Sequence, residues 1–183
     1  SAPLAGGRSV AAGGRWIDVG TDHARLPVAA VERGLADKAY ALDIRPGPLE
    51  AAERQIIASG LEDRITTILS DGLDKLPPEP GDRISVLGMG GREIIAILKS
   101  CTLPAAGRLV LQPMQNAAEL RSWLAENGLG PTNERVVVSG RHVYVLESVE
   151  LSVSVPVRRL NLAQQTIGPC LLEDSSQRPD QDT

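Results

Sequence analysis

Phenylalanine is absent from this 183-residue sequence, whose aromatic rings amount to two tryptophans and two tyrosines. So few rings exclude the stripe of stacking side chains with which single-strand RNA binders hold their bases. Trp16 and Trp123 read as anchors at or near the core, and His142 as a strand residue on the surface. The two cysteines, Cys101 and Cys170, have neither metal-ligand spacing nor the density of a disulfide scaffold, so they read as reduced packing residues, and no metal site is expected. No apolar run approaches the ~20 residues needed to cross a bilayer. The opening "SAPLAGGRSVAAGG" lacks the long apolar centre of a secretory signal. The expectation is a cytoplasmic protein with no membrane partner. A formal charge of −4 excludes a uniformly basic nucleic-acid binder but leaves room for a local positive patch.

With 42% hydrophobic residues, the chain can build one domain with a genuine core. Short apolar runs alternate with amphipathic stretches, the pattern of an α/β fold. Strands are predicted at Trp16–Val19, Ala39–Ile44, Ile65–Leu69, Ile84–Leu87 and Leu109–Gln112, apolar enough to be buried on both faces of a parallel sheet. Helices are predicted at Pro27–Arg33, Pro48–Ser59, Arg92–Ser100 and Ala117–Asn127. The second opens with proline and ends at glycine, with Leu49, Ala52, Ile56 and Ile57 on one stripe. After Gly128, "ERVVVSGRHVYVLESVEL" reads as an antiparallel hairpin closing a mostly parallel sheet. Residues 1–14 are expected to be a flexible start, 15–172 the domain and 173–183 a disordered tail.

In an open parallel sheet, ligands bind outside the carboxyl ends of the strands. The loops there read "DVGTDHA", "LDIRPG", "SDG", "GMGG" and "QPMQN". Asp18 and Gly20 let the chain turn sharply, Asp43 can accept ribose hydroxyls, and Asp71 stands within plausible reach of a purine amino group. Three acids at three successive strand ends suit an adenosine with a free ribose. A dinucleotide would require a GxGxxG fingerprint and a helix N-terminus offered to pyrophosphate, whereas here Asp22 stands where that anion would lie. The ligand implied is a cationic adenosyl compound, which S-adenosylmethionine fits.

The segments "IDVGTDHARLP", "ALDIRPGPLEAA", "GLEDRI", "SDGL", "GMGG", "LVLQPMQNAAELRSWLAENG" and "IGPCLL", taken in order, resemble the bacterial tRNA (adenine(22)-N(1))-methyltransferase family. The resemblance runs from Trp16 to Leu172. It implies a Rossmann-like class I methyltransferase fold with a mostly parallel seven-stranded sheet, S-adenosylmethionine as cofactor and tRNA as partner. The methionine part of the cofactor would lie on Asp18, Gly20, Thr21, Asp22 and His23, with Leu26 close by. Asp43 and Ile44 would serve the ribose end, and Asp71, Gly72 and Gly88 the remainder. The target base would face Gly88, Met89, Gly90 and Gly91 and the loop holding Gln112, Pro113 and Asn116. The family carries a C-terminal helical region that this sequence, ending soon after "IGPCLLED", does not include.

Transfer to a ring nitrogen needs alignment more than acid–base chemistry, because that nitrogen already carries a lone pair. The Gly88 and Met89 carbonyls, Asp22 and the side-chain oxygens of Gln112 or Asn116 are candidate acceptors for the base's amino group. Arg25, Arg45 and Arg92 follow strand ends and are candidates for a basic rim. Plainer readings stand beside these: Asp22 capping the next helix, "GMGG" as a tight crossing, the arginines as solvated charges, and Met89 and Met114 as gap fillers. Two other functions remain open, a cofactor-binding module that needs a partner for RNA and, less well matched, a nicotinamide oxidoreductase.

Overall fold

The computed structural model describes residues 13–153 and 155–176. Its parallel strands are β1 (Arg15–Val19), β2 (Lys38–Asp43), β3 (Ile65–Leu69), β4 (Arg83–Gly90) and β5 (Arg108–Gln115). Helices α1 (Arg25–Glu32), α2 (Pro46–Ala58), α3 (Gly91–Ser100) and α4 (Ala117–Glu126) alternate with them. The hairpin β6 (Asn133–Ser139) and β7 (His142–Glu150) completes a seven-stranded sheet in the order β3-β2-β1-β4-β5-β7-β6. β7 runs antiparallel to both β5 and β6. The mostly parallel α/β sheet and its closing hairpin thus match expectation.

The central strands are continuous apolar runs because both faces are covered. Ile17, Ile84, Val86, Leu109 and Leu111 are wholly buried, and Ile94 of α3 with Leu120 and Leu124 of α4 packs against them. On the opposite face, alanines 39, 41 and 52 let α1 and α2 approach β2 closely. In α2 the buried stripe is Leu49, Ala52 and Ile56, while Ile57, expected on it, is 62% exposed.

Other expectations shift. β4 extends to Gly90 and β5 to Gln115, so "GMG" and "QPMQ" lie in strand continuations, with register shifts at Leu87/Met89 and Met89/Gly90, and Gly91 opens α3. α1 begins at Arg25, earlier than Pro27. Gly14 does not hang loose: it donates to Asp37 Oδ2 at 3.0 Å and accepts from the Asp37 amide. Residues 1–12, the rest of the expected flexible start, lie outside the described residues. Two helices went unforeseen, α5 (Leu162–Thr166) and α6 (Pro169–Ser176). The second carries ordered chain past Leu172, and 177–183 lie outside the described residues.

The C-terminal elements are held by a buried ionic cluster. Arg121 of α4 lies 2.9 Å from Glu147 Oε1 and 3.3 Å from Glu134 Oε1, both by its Nε, and donates to the carbonyls of Gln165 and Thr166. Glu134 Oε2 in turn accepts the Cys170 and Leu171 amides at the start of α6. Two carboxylates around one guanidinium are under-neutralised, and burial pushes the Glu147 carboxyl up to about 7, with Arg121 opposing and Glu134 adding to the rise. A raised carboxyl binds its proton more tightly in the folded state, so its contribution to stability falls as pH rises from the ordinary glutamate range through 7. Glu147→Gln should therefore abolish a decline in wild-type stability between about pH 4.5 and 7, as measured by denaturant titrations. Arg121→Ala, which leaves two buried carboxylates unpaired, should cost about 3–5 kcal/mol in the same measurement.

Candidate functional site

The turn after β1 is closed by two amides on one acceptor: Gly20 and Thr21 donate to the Leu42 carbonyl at 2.8 and 2.9 Å. Gly20 has a φ of +76°, which favours glycine, and a Cβ there would collide with the Met89 methyl. His23 and Ala24 follow at φ 56° and 49°, and Asn116 after β5 has φ 56°. Left-handed non-glycine residues cost free energy, and all three lie past carboxyl ends of strands.

At these ends opens a cavity of about 610 Å³, lined by Gly20, Asp43, Ile44, Arg45, Ser70, Asp71, Gly72 and Met89, with Glu93, Ala96 and Ile97 of α3 on its far wall. Asp43 is 5% exposed, and its Oδ1 accepts the Arg45 amide at 2.8 Å with Arg45 Nε 3.4 Å away. Among the described residues its Oδ2 has no partner. Ser70 is held behind it, donating its amide to the Asp43 carbonyl and accepting the Lys75 amide on its hydroxyl. Gly72 has φ +53°, and a Cβ would press on Ile97 at 3.2 Å.

Asp18 is not in the cavity lining. It lies buried within the sheet, where Ser85 donates to its Oδ1 at 2.6 Å while Trp16 Nε1 donates to the Ser85 hydroxyl at 2.9 Å. Burial pushes its carboxyl up to about 6, opposed by the hydroxyls of Ser85 and Thr21. The Thr21 hydroxyl is itself buried without a well-aligned hydrogen bond. Thr21, Asp22, His23 and Leu26 are likewise outside the lining. The Asp22 side chain is 81% exposed and 3.2 Å from His23 Nε2, and it does not cap α1, whose N-cap is Ala24.

On the β4–β5 side, Gly88 has φ +76° with open space where a Cβ would stand. Its amide donates to Gln112 Oε1 at 3.0 Å, and Gln112 Nε2 reaches Met114 Sδ at 3.3 Å, so the expected free acceptor on Gln112 already holds the β4 bulge. Gly90 caps α3, its amide bonded to Glu93 Oε2 at 2.8 Å. A Cβ on Gly91 would strike the Asn116 carbonyl, so the tight-crossing reading of "GMGG" holds for this glycine. Pro113 is half-buried in β5, and the Asn116 side chain is exposed. Of the arginines, Arg92 is paired with Glu119 at 2.7 Å and Arg45 with Asp43, while Arg25 is exposed. The wall from α3 was missed, although Glu93, Ala96 and Ile97 form a second stripe beside the core stripe Ile94, Ile95 and Leu98.

A methyltransferase domain model matches residues 7–146. The tRNA (adenine(22)-N(1))-methyltransferase of Bacillus subtilis is 40% identical over 114 residues, which are 61% of this chain and 48% of that protein. The crystal structure of the Streptococcus pneumoniae putative tRNA (m1A22) methyltransferase with S-adenosyl-L-methionine superposes with a TM-score of 0.75 at 30% identity, over 92% of this chain and 78% of that one. The chain belongs to the tRNA (adenine(22)-N(1))-methyltransferase family. A further member, the B. subtilis m1A22 tRNA methyltransferase TrmK, superposes with a TM-score of 0.80 at 30% identity over 91% of this chain and 73% of that one. The chain spans about half the length of the curated B. subtilis methyltransferase.

In this member of the family, Gly91 and Gly88 are constrained differently, one by sterics and one by backbone angle. Gly91→Ala should lower stability by about 1–3 kcal/mol through the collision with Asn116. Gly88→Ala should cost about 1–2 kcal/mol, from the positive φ alone. Thermal unfolding of both variants checks the pair.

Proposed function

We propose that this chain is an S-adenosylmethionine-dependent tRNA methyltransferase that transfers a methyl group to N1 of the adenosine at tRNA position 22, acting in the cytoplasm. The observation that carries the reading is the cavity at the strand ends, with the buried Asp43, its Oδ1 fixed by the Arg45 amide, on one side and Met89 with the α3 wall on the other. The residues fit the cofactor: among those lining the cavity, Asp43 would take ribose hydroxyls, Ile44 and Ile97 would offer apolar surface to a planar ring, and Asp71 would take a purine amino group. S-adenosylmethionine supplies the electrophilic methyl group.

What the chain does is bind, orient and exclude. The Arg45 amide fixes Asp43, so the carboxylate is set before a ligand arrives. The Met89 methyl packs over Gly20, where a Cβ would stand. On the opposite side, the Gly88 and Met89 carbonyls, Asp22 and the Asn116 side chain are the acceptors for the amino group of the target base, whose charge grows as its ring nitrogen is alkylated. That edge of adenine is the pairing edge, so the nucleotide enters unpaired or flipped out. Holding the reacting atoms in line is worth ~7–11 kcal/mol in favourable cases. Arg25, Gly90, Gly91 and Pro113, with Arg45 at the cavity edge, would serve the substrate side, whereas Arg92 is paired with Glu119.

Methylation of unmodified tRNA, read by mass spectrometry of its nucleosides and of its nuclease fragments, tests the reading. N1-methyladenosine at position 22 is expected, and cofactor binding without any methylated nucleoside would favour a binding module that needs a partner. Asp43→Ala should weaken S-adenosylhomocysteine in calorimetry by about tenfold to a hundredfold, the loss of one or two charge-assisted hydrogen bonds. Met89→Ala, freeing the space over Gly20, should leave that affinity equal or tighter. With saturating tRNA, Asp22→Asn and Asn116→Ala should each slow single-turnover transfer. Full rates in both would remove these two from the site.

A further inference from the structure

The β6–β7 hairpin outruns its support. β7 pairs with β5 only from Arg108↔Glu150 to Leu111↔Glu147, whereas its pairing with β6 continues to Ser139↔His142. From Arg135 to Leu146 the two strands therefore pair only with each other. Because β7 is antiparallel to β5, this free half points toward the carboxyl end of β5, where Gln112 and the cavity lie. At about 3.3 Å per residue, the run from Glu147 back to His142 carries the turn roughly 16 Å past the last β5 partner.

The charge on this arm runs against that of the chain. The protein as a whole carries −4, yet the charged residues between Arg135 and Leu146 are Arg135 and Arg141, both exposed. The acids that flank the arm, Glu134 and Glu147, are buried against Arg121 and offer nothing to solvent. Strand alternation puts Arg135, Val137 and Ser139 on one face with their partners Leu146, Tyr144 and His142. That face is opposite to the one holding Glu134 and Glu147. On it the His142 and Tyr144 rings stack with centroids 6.1 Å apart. A ring pair beside an exposed arginine, in a sequence with two tyrosines and two histidines in all, matches a polyanion that also presents flat bases.

We propose that the free half of the β6–β7 hairpin is a second RNA-contact surface, with Arg135 and Arg141 on phosphates beside the target adenosine and the His142–Tyr144 pair against an unpaired base or ribose. The inference rests on the tRNA reading above and adds to it a contact outside the adenosyl cavity. It also gives an acidic chain a place to neutralise phosphate that the Arg92–Glu119 pair does not provide.

The test is binding of unmodified tRNA by fluorescence anisotropy over a range of salt concentrations, with S-adenosylhomocysteine calorimetry on the same preparations. Replacing Arg135 and Arg141 together with glutamine should weaken tRNA about tenfold or more at low salt and lower the log–log salt slope by about 2, leaving cofactor affinity unchanged. Tyr144→Phe, which keeps the ring, should bind tRNA as the wild type does, while Tyr144→Ser should not. Cofactor binding with a tRNA slope untouched by the double substitution would overturn this inference alone. So would a wild-type dimer in sedimentation that is dissolved by Val138→Lys, because the arm would then be a self-association surface. Failure of the wild type to bind S-adenosylhomocysteine would overturn the methyltransferase reading and this inference with it.

Discussion

The Leu42 carbonyl oxygen receives two consecutive amides, Gly20 and Thr21, and the geometry of the site depends on that double attachment. It bends the chain off β1 toward β2 just where β1 ends, and glycine is what lets the backbone make the bend at φ +76°. The consequence is that the end of β1 and the end of β2 meet, so Asp43 stands beside the turn with its oxygen Oδ1 already held by the Arg45 amide. The left-handed residues His23 and Ala24 then return the chain into α1. A carboxylate held in this way would meet the ribose of the proposed cofactor without rearrangement.

The other half of the site is built by close approach. The bulge at Gly88 is held by Gln112 from the neighbouring strand, and Gly91 lets the start of α3 press against the Asn116 carbonyl. These contacts join β4, β5, α3 and α4 at one point and keep the Gly88 face open. On the reading proposed above, a small cofactor would stay in place at the first half while a large nucleic acid comes and goes at the second. The acidic net charge is compatible with that proposal because phosphate contact needs only a local basic patch, such as Arg135 and Arg141 on the hairpin arm.

The sheet was legible because its central strands are uninterrupted apolar runs, and Asp43 was legible because an acid ending such a run has few structural uses. The roles of Asp18 and Gln112 were not. Asp18 reads in sequence as part of a ligand turn, but Ser85, 67 residues away, draws it into the sheet. Gln112 reads as a free acceptor until the Gly88 amide is found on its oxygen. Arg92 reads in sequence as an unpaired rim charge until Glu119, 27 residues on, is found beside it. α5 and α6 escaped notice because short helices carry little periodicity, and what holds α6 is Glu134, 36 residues before Cys170. Local pattern reveals elements; partners distant in sequence decide what the polar residues in them do.

The central claim is a preformed adenosyl site at the carboxyl ends of β1, β2 and β4, and backbone amide NMR during titration with S-adenosylhomocysteine tests it most directly. Saturable shifts should concentrate at Gly20, Asp43 to Arg45, Asp71, Gly72 and Met89, with the Arg121 cluster and the hairpin arm unmoved. Shifts centred on another part of the sheet, or none at saturating ligand, would contradict it.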